Sequence, residues 1–209
     1  MRVETEREFK SQLTKEDFYK LQDYIESLGY KKIEVVNQVN YYIDTENFSL
    51  RNSGTTLRVR HFIDDDTYEL TAKIKNNNGE EDKELKVKEE VTIDISKNCA
   101  EDILNNNNMR EYIYLFEDKA ELFNNKKLVV LGSLSTERTN YFIREDAMLS
   151  FDKSKYFDKE DYEIELETIN VDEDRAFLNN IFKEANIKVF EENKSKVKRF
   201  IEKFNSKWN

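Results

Sequence analysis

The sequence predicts a β-dominated α+β protein, with about eight or nine mostly antiparallel strands in one sheet and helices outside it. Three observations predict this. Short segments alternate apolar and charged residues with period two along most of the chain, and apolar residues spaced three and four apart occur only between or after them. The 209 residues include no proline, which suits long uninterrupted strands because proline deletes ladder hydrogen bonds.

Taken in order, residues 3–10 read as the first strand. Residues 15–28 place Phe18, Leu21, Tyr24, Ile25 and Leu28 on one helical face, with Thr14 positioned to cap that helix. Strands are expected over 33–43, 56–63, 67–75 and 84–94, with turns at Gly54 and at Asn76-Asn77-Asn78-Gly79, where Asn and Gly tolerate positive φ. A helical excursion follows at 100–124, then strands at 128–138, 141–145, 147–152 and 161–168. Helices at 172–185 and 194–204 complete a single domain spanning 1–209.

Composition excludes several classes. The net charge is −10, from 34 Lys and Arg against 44 Asp and Glu, so duplex nucleic acid and anionic membranes are poor partners for the chain as a whole. The start of the chain, MRVETEREFK, carries charges where a signal peptide needs an apolar run, and a cytoplasmic protein is expected. One cysteine, Cys99, and one histidine, His61, cannot build an internal disulfide or a Cys/His zinc cage. Gly29, Gly54, Gly79 and Gly132 are isolated, and no nucleophile elbow, phosphate loop or dinucleotide glycine pattern occurs.

The chemistry therefore lies on the strand faces. Residues two apart share a face, which groups Glu6, Glu8 and Lys10; Arg58 and Arg60; Lys73 and Lys75; Lys86, Lys88 and Glu90; and Asp161, Glu163, Glu165 and Glu167. The opposite faces are largely apolar, as in Leu57 and Val59 or Tyr162, Ile164 and Leu166. Two arrangements satisfy this pattern. One is an antiparallel sheet with one face under helices and the other in water; the other is a sheet curled until the charged face is enclosed. The sorting of charge, carboxylates on some strands and only cations on others, favours the second. An enclosed lining of this kind needs ligands, because unpaired buried charges cost several kcal/mol each as an order of magnitude. Carboxylate oxygens suit Mg²⁺ or Mn²⁺, and rows of Arg and Lys suit phosphate oxygens. A linear oligophosphate bridged by a divalent cation uses both.

Glu6-Arg7-Glu8-Phe9-Lys10 matches an E-x-E-x-K signature in the first strand. It is followed in order by Tyr41-Tyr42-Ile43-Asp44-Thr45, Thr56-Leu57-Arg58-Val59-Arg60 and Leu70-Thr71-Ala72-Lys73-Ile74-Lys75. Gly132-Ser133-Leu134-Ser135-Thr136-Glu137-Arg138, Leu149-Ser150-Phe151-Asp152-Lys153, Asp161-Tyr162-Glu163-Ile164-Glu165-Leu166-Glu167 and Lys194-Ser195-Lys196-Val197-Lys198-Arg199-Phe200 continue the series. Across nearly its whole length the chain resembles the CYTH superfamily, the triphosphate tunnel metalloenzymes, in a bacterial, Gram-positive-type branch.

That resemblance implies an eight-stranded antiparallel β-barrel with a charged interior and external helices, acting on a small triphosphate with Mg²⁺ or Mn²⁺. It implies metal ligation by Glu6, Glu8, Asp152, Glu163 and Glu165, with Glu90 as a further candidate. It implies phosphate binding by Lys10, Arg58, Arg60, Lys73, Lys75, Arg138, Lys153 and Lys196, and catalytic roles for Glu6, Glu8, Lys10 and Lys73. Asp152 and Lys153 have opposite parity, so a regular strand directs only one of them inward. Lys86 and Lys88 depart from the family's more frequent arginine and glutamate arrangement, which leaves the register of Glu89 and Glu90 open. The expected activity is hydrolysis of inorganic, thiamine or nucleoside triphosphate. The alternatives are a class IV-type adenylate cyclase and a non-catalytic polyphosphate- or nucleotide-binding module.

Overall fold

Alternating burial along the strands shapes the protein, and a computed structural model describes residues 1–75, 85–188 and 194–208. The elements run β1 (Arg2–Leu13), α1 (Lys15–Ser27), β2 (Lys31–Thr45), α2 (Ser49–Asn52), β3 (Thr55–Phe62), β4 (Thr67–Lys75), β5 (Leu85–Ile95) and α3 (Lys97–Asn106). A 3₁₀ segment (Met109–Leu122) precedes β6 (Leu128–Arg144), β7 (Ala147–Tyr156), β8 (Lys159–Glu167), α4 (Val171–Glu184) and α5 (Lys196–Trp208). The eight described strands close into a barrel in the order β1-β5-β4-β3-β2-β6-β7-β8, and every neighbouring pair is antiparallel. Closure removes both sheet edges and encloses the charged face.

The segments 128–138 and 141–145, expected as two strands, are one strand, β6. The apparent break falls at Asn140, a buried residue that accepts a hydrogen bond from Ser150 and donates one to Glu34. A polar residue at that position marks an inward-facing site in a polar barrel, not a turn. The excursion at 100–124 is α3 followed by the 3₁₀ segment, which kinks at Glu117. The turn expected at Asn76-Asn77-Asn78-Gly79 lies outside the described residues.

Because the interior is polar, the apolar core lies outside the barrel. Helices α1 and α4 cover β1, β7 and β8 through Phe18, Leu21, Ile25, Leu178 and Ile181, which meet Phe9, Phe151, Ile164 and Leu166. Thr14, in extended backbone, accepts the Asp17 N–H at 3.0 Å and starts α1 where the sequence places its cap. A second core packs α2, α3 and the 3₁₀ segment on β3, β4 and β5, with Leu57, Val59, Leu70, Ala72 and Val91 beneath Ile103, Phe116 and Phe123. Each fully buried side chain of this size contributes about 1.5–3 kcal/mol, so these two cores set the stability of the barrel wall.

The third cluster differs in kind. Phe200 and Ile201 of α5 pack against Tyr42, Leu134 and Tyr156, at the ends of β2 and β7 and near the start of β6. Helix α5 thus closes one end of the barrel. At Gly132, with φ +149°, a Cβ would come within 3.2 Å of the Phe200 ring, so this glycine gives α5 its close approach. Asp44 and Thr45, from the tyrosine and aspartate-threonine segment, are structural: Asp44 accepts the N–H groups of Leu50 and Arg51, and Thr45 that of Ser49, anchoring the short α2. Among the described residues, no helix is long and apolar enough to cross a membrane.

Candidate active site

Register fixes which side chains share the interior. On one side of the barrel, inward residues form rows across adjacent strands. Arg138 lies opposite Asp152, Asp152 opposite Glu163, and Glu163 opposite Gln12. The next row toward the open end is Asn140, Ser150, Glu165 and Lys10. On the other side Glu6 lies opposite Lys88, Glu90 opposite both Glu4 and Lys73, Arg60 opposite Glu69 and Asn40, and Arg58 opposite Tyr42 and Thr71. The rows enclose a cavity of about 600 Å³, with Ser195, Lys196 and Val197 of the α5 region in its lining.

The acidic floor is the most heavily paired region. Carboxylate oxygens of Asp152, Glu163 and Glu165 lie within 4.8 Å of one another, and all three residues are buried. The Lys196 ammonium sits among them, 2.5 Å from Asp152, 2.5 Å from Glu163 and 2.7 Å from Glu165. Arg138 grips Asp152 with two hydrogen bonds of 2.7 and 2.6 Å and also reaches Glu165. Burial by itself would raise the Asp152 and Glu165 carboxyls. The neighbouring cations outweigh it, Arg138 and Lys196 at Asp152 and Lys10, Lys196 and Arg138 at Glu165, so both are lowered.

Above the floor, Lys10 bridges Glu8 at 2.9 Å and Glu165 at 2.8 Å, while Lys73 bridges Glu6 at 2.5 Å and Glu90 at 2.7 Å. The Glu90 carboxyl, against the upward effect of burial, is brought down to about 2 by Lys73 and Arg58. Burial, reinforced by Arg58 and Arg138, pushes Arg60 down, and burial with Lys10 and Lys73 pushes Lys88 down to about 8. These cations repel one another across the cavity. Arg58 is 9% exposed, and its Nε and Nη2 are buried and donate no hydrogen bond to any described residue; the Glu90 carboxylate lies 3.6 Å from Nη2. A buried guanidinium with unmade hydrogen bonds facing a polar cavity calls for an anion.

Ten of the sequence-derived candidates line this cavity: Glu6, Glu8, Lys10, Arg58, Arg60, Lys73, Glu90, Arg138, Glu165 and Lys196. Asp152 and Glu163 lie beneath it, in contact with Lys196. Two candidates are not brought in. Lys75 shares the parity of Lys73 but stands exposed at the end of β4, because parity fixes the face and not the depth. Lys153 points outward, opposite Glu137 and Tyr162, and Tyr162 packs on Phe18 under α1. The open register of β5 resolves with Glu90 inward and Glu89 outward, where Glu89 meets Lys119 at 2.7 Å.

Two interior residues escaped assignment. Lys88 shares the face of Glu90, and that parity was the available signal. Arg199 lies one helical turn after Lys196 and pairs with Asp161 at 2.7 Å and with Glu163, while the Tyr156 hydroxyl donates to Asp161 at 2.5 Å. Arg199 thereby fastens α5 to β8 and holds the second oxygen of Glu163.

A closed barrel whose floor collects carboxylates and whose wall presents Arg58 with two unbonded nitrogens has the chemistry to receive a compact polyanion together with a hard cation. The chain belongs to the CYTH domain family, whose model matches residues 4–201. It is 29% identical over 205 residues to YjbK of Bacillus subtilis (strain 168), provisionally assigned as a triphosphatase, with 97% of each chain covered. Among solved structures it is similar to a presumed adenylate cyclase of Bacillus halodurans, with TM-score 0.72 and 25% identity over 96% of this chain and 99% of the other. It also shares its fold with HpAC1 from Hippeastrum, described as a presumed adenylyl cyclase with a dominant triphosphatase activity (TM-score 0.81, 21% identity, 95% and 96% covered). The Mimivirus capping enzyme triphosphatase shares the fold at TM-score 0.53 and 13% identity, with 89% and 90% covered.

Proposed function

We propose that this protein hydrolyses a triphosphate inside the barrel with the help of a divalent cation. The observation that carries the reading is the buried, unsatisfied Arg58 facing the cavity that Glu165 also lines, with Asp152 and Glu163 clustered with Glu165 beneath it. Membership of the CYTH family and the triphosphatase assignment of YjbK support it.

The donor set fits Mg²⁺ or Mn²⁺: carboxylate oxygens only, buried and converging. Asp152, Glu163 and Glu165 would hold the ion, with Glu6, Glu8 and Glu90 as the further carboxylates at the cavity. When bound, it supplies neutralisation of the charge that builds up on the phosphoryl oxygens. Arg58 and Arg60 grip the phosphate chain from one wall and Arg138 and Lys10 from the other, fixing it in line and stabilising the transition-state charge. Glu6 keeps Oε1 on Lys73, whereas its Oε2 is buried without a hydrogen-bond partner among the described residues. That oxygen orients the attacking water and accepts its proton. The water oxygen bonds to the terminal phosphorus, the bridging P–O bond breaks, and phosphate and a diphosphate leave.

The test is a product panel: phosphate, pyrophosphate and cyclic nucleotide released from tripolyphosphate, thiamine triphosphate and ATP, each with Mg²⁺, Mn²⁺ or chelator. Metal-dependent phosphate release supports the proposal. Pyrophosphate with cyclic AMP would instead identify a cyclase, and no product from any substrate a binding module. Glu6→Gln should remove most phosphate release while leaving the circular dichroism unchanged, and undiminished release would sink the role given to Glu6.

A further inference from the structure

Helix α5 brings two cations to the floor of the barrel from consecutive turns, and they meet different oxygens of one carboxylate. The Lys196 ammonium is shared by Asp152 Oδ2, Glu163 Oε1 and Glu165 Oε1, at 2.5, 2.5 and 2.7 Å, so these three oxygens converge on a single positive charge. Arg199 is buried and donates through Nη2 to the other oxygen of Glu163, Oε2. Its other two nitrogens are engaged as well: Nε with Asp161 Oδ2 at 2.7 Å, and Nη1 with the Lys194 carbonyl. Asp161 stands one row deeper than Glu163, opposite Ser154, and accepts the Tyr156 hydroxyl on the same oxygen at 2.5 Å. Glu163 is 2% exposed, and its Oε1 accepts no hydrogen bond from any described residue despite the nearby ammonium. A buried oxygen left in that state calls for another partner.

We propose that Arg199 is a positioning residue for the divalent cation: it fixes the plane of the Glu163 carboxylate, so that Oε2 stays with α5 and Oε1 alone is presented to the ion. The inference rests on the metal-dependent reading of the site and deepens it. A carboxylate left free turns about its last carbon–carbon bond and offers either oxygen or both, which gives the ion several competing arrangements. The planar guanidinium suppresses that rotation, because Nη2 and Nε are held to Glu163 and Asp161 at once. Charge points the same way. Arg199 facing Glu163 alone would neutralise it. Asp161 supplies a second carboxylate, so one positive charge stands against two negative ones and Glu163 still attracts a cation. Carboxylates that ligate metals are held by hydrogen-bonded partners of this kind, and losing such a partner lowers metal affinity about 10- to 100-fold. The two residues of α5 therefore act in opposite directions: Lys196 competes with the ion for the three oxygens, whereas Arg199 shapes its site.

The test is calorimetric titration with Mn²⁺ of the wild type, Arg199→Gln, Arg199→Lys and Lys196→Met, with folding checked by circular dichroism in chelator. Arg199→Gln is expected to bind Mn²⁺ about 10- to 100-fold more weakly, and the Mn²⁺ concentration for half-maximal phosphate release to rise by the same factor. Arg199→Lys keeps the charge without the planar fork, so its affinity should lie between the two, and it carries the test if the glutamine variant does not fold. Lys196→Met should move the affinity the other way. A residue that only fastened α5 would not give opposite signs, because both substitutions loosen the same helix. Wild-type affinity in whichever Arg199 variant folds, or equal weakening in Arg199→Gln and Lys196→Met, overturns the role of Arg199. A wild type that binds no Mn²⁺ at all removes the metal-dependent reading and the inference with it, a result distinct from either of those.

Discussion

Lys196→Met, which keeps the length of the side chain and removes its charge, separates two roles that the floor of the barrel assigns to one ammonium group. Lys196 is hydrogen-bonded to Asp152 at 2.5 Å and to Glu165 at 2.7 Å and ion-paired with Glu163 at 2.5 Å, with 13% of its side chain exposed. Without divalent cation, the variant leaves three buried carboxylates with fewer counter-charges. Breaking a buried pair from one side costs about 3–5 kcal/mol. At about 2–4 °C per kcal/mol for a chain of this size, the melting temperature should fall by about 6–20 °C. Metal binding should change the opposite way. In the wild type an entering ion displaces Lys196 from at least one charge-assisted hydrogen bond, each contributing about 1.5–3 kcal/mol. Removing that competitor should tighten Mn²⁺ or Mg²⁺ binding about tenfold or more, since each 1.4 kcal/mol is about a factor of ten. The assays are calorimetric metal titration and thermal unfolding at increasing Mn²⁺. Expected is a variant less stable than wild type in chelator but with a larger rise in melting temperature per added metal. Equal or weaker metal affinity in a folded Lys196→Met would refute the placement of the metal among Asp152, Glu163 and Glu165.

Two further outcomes follow from the cavity and its plug. Lys88 is held at about 8, below its ordinary 10.5, by burial and by Lys10 and Lys73. Its folded pKa is depressed, so from about pH 8 to 10.5 the unfolded chain binds more protons and this group's contribution to stability rises with pH. Polyphosphate binding should restore the proton, giving uptake of about half a proton per ligand at pH 8, read by calorimetry in buffers of different ionisation enthalpy. The same uptake in Lys88→Met would assign it to another group. Phe200→Ala should cost about 3–5 kcal/mol in denaturant unfolding. Phe200 is fully buried, with ring centroids 5.0 Å from Tyr42 and 5.1 Å from Phe157. Amide exchange should accelerate first across residues 196–208; uniform acceleration over the barrel instead would show that α5 does not open on its own.

How far the sequence could be read depended on which physical effect set each position. Parity assigned the inward faces of β1, β3 and β8 because a two-residue period survives any tertiary arrangement, and it grouped Lys88 with Glu90 correctly. The strands expected at 128–138 and 141–145 left a gap at 139–140 that the structure bridges, since a polar residue such as Asn140 interrupts a strand pattern only when the interior is apolar. Parity could not tell Lys75 from Lys73, because depth along the barrel depends on where neighbouring strands end. Arg199 was invisible to strand logic altogether: its partners Asp161 and Glu163 lie more than thirty residues earlier in the chain and meet it only when α5 closes the barrel.

The sequence by itself determined most of the strands, the faces that carry charge, and the sorting of carboxylates and cations among those faces, because these follow from local periodicity and side-chain chemistry. Only the tertiary structure decided that the sheet closes and places its apolar core outside, that Lys196 sits in an acidic floor, and that Lys153 stays out of the cavity. Those outcomes depend on the register and depth of strands distant in sequence, and on the cost of enclosing charge, which pairs each buried carboxylate with whichever cation the fold brings within reach.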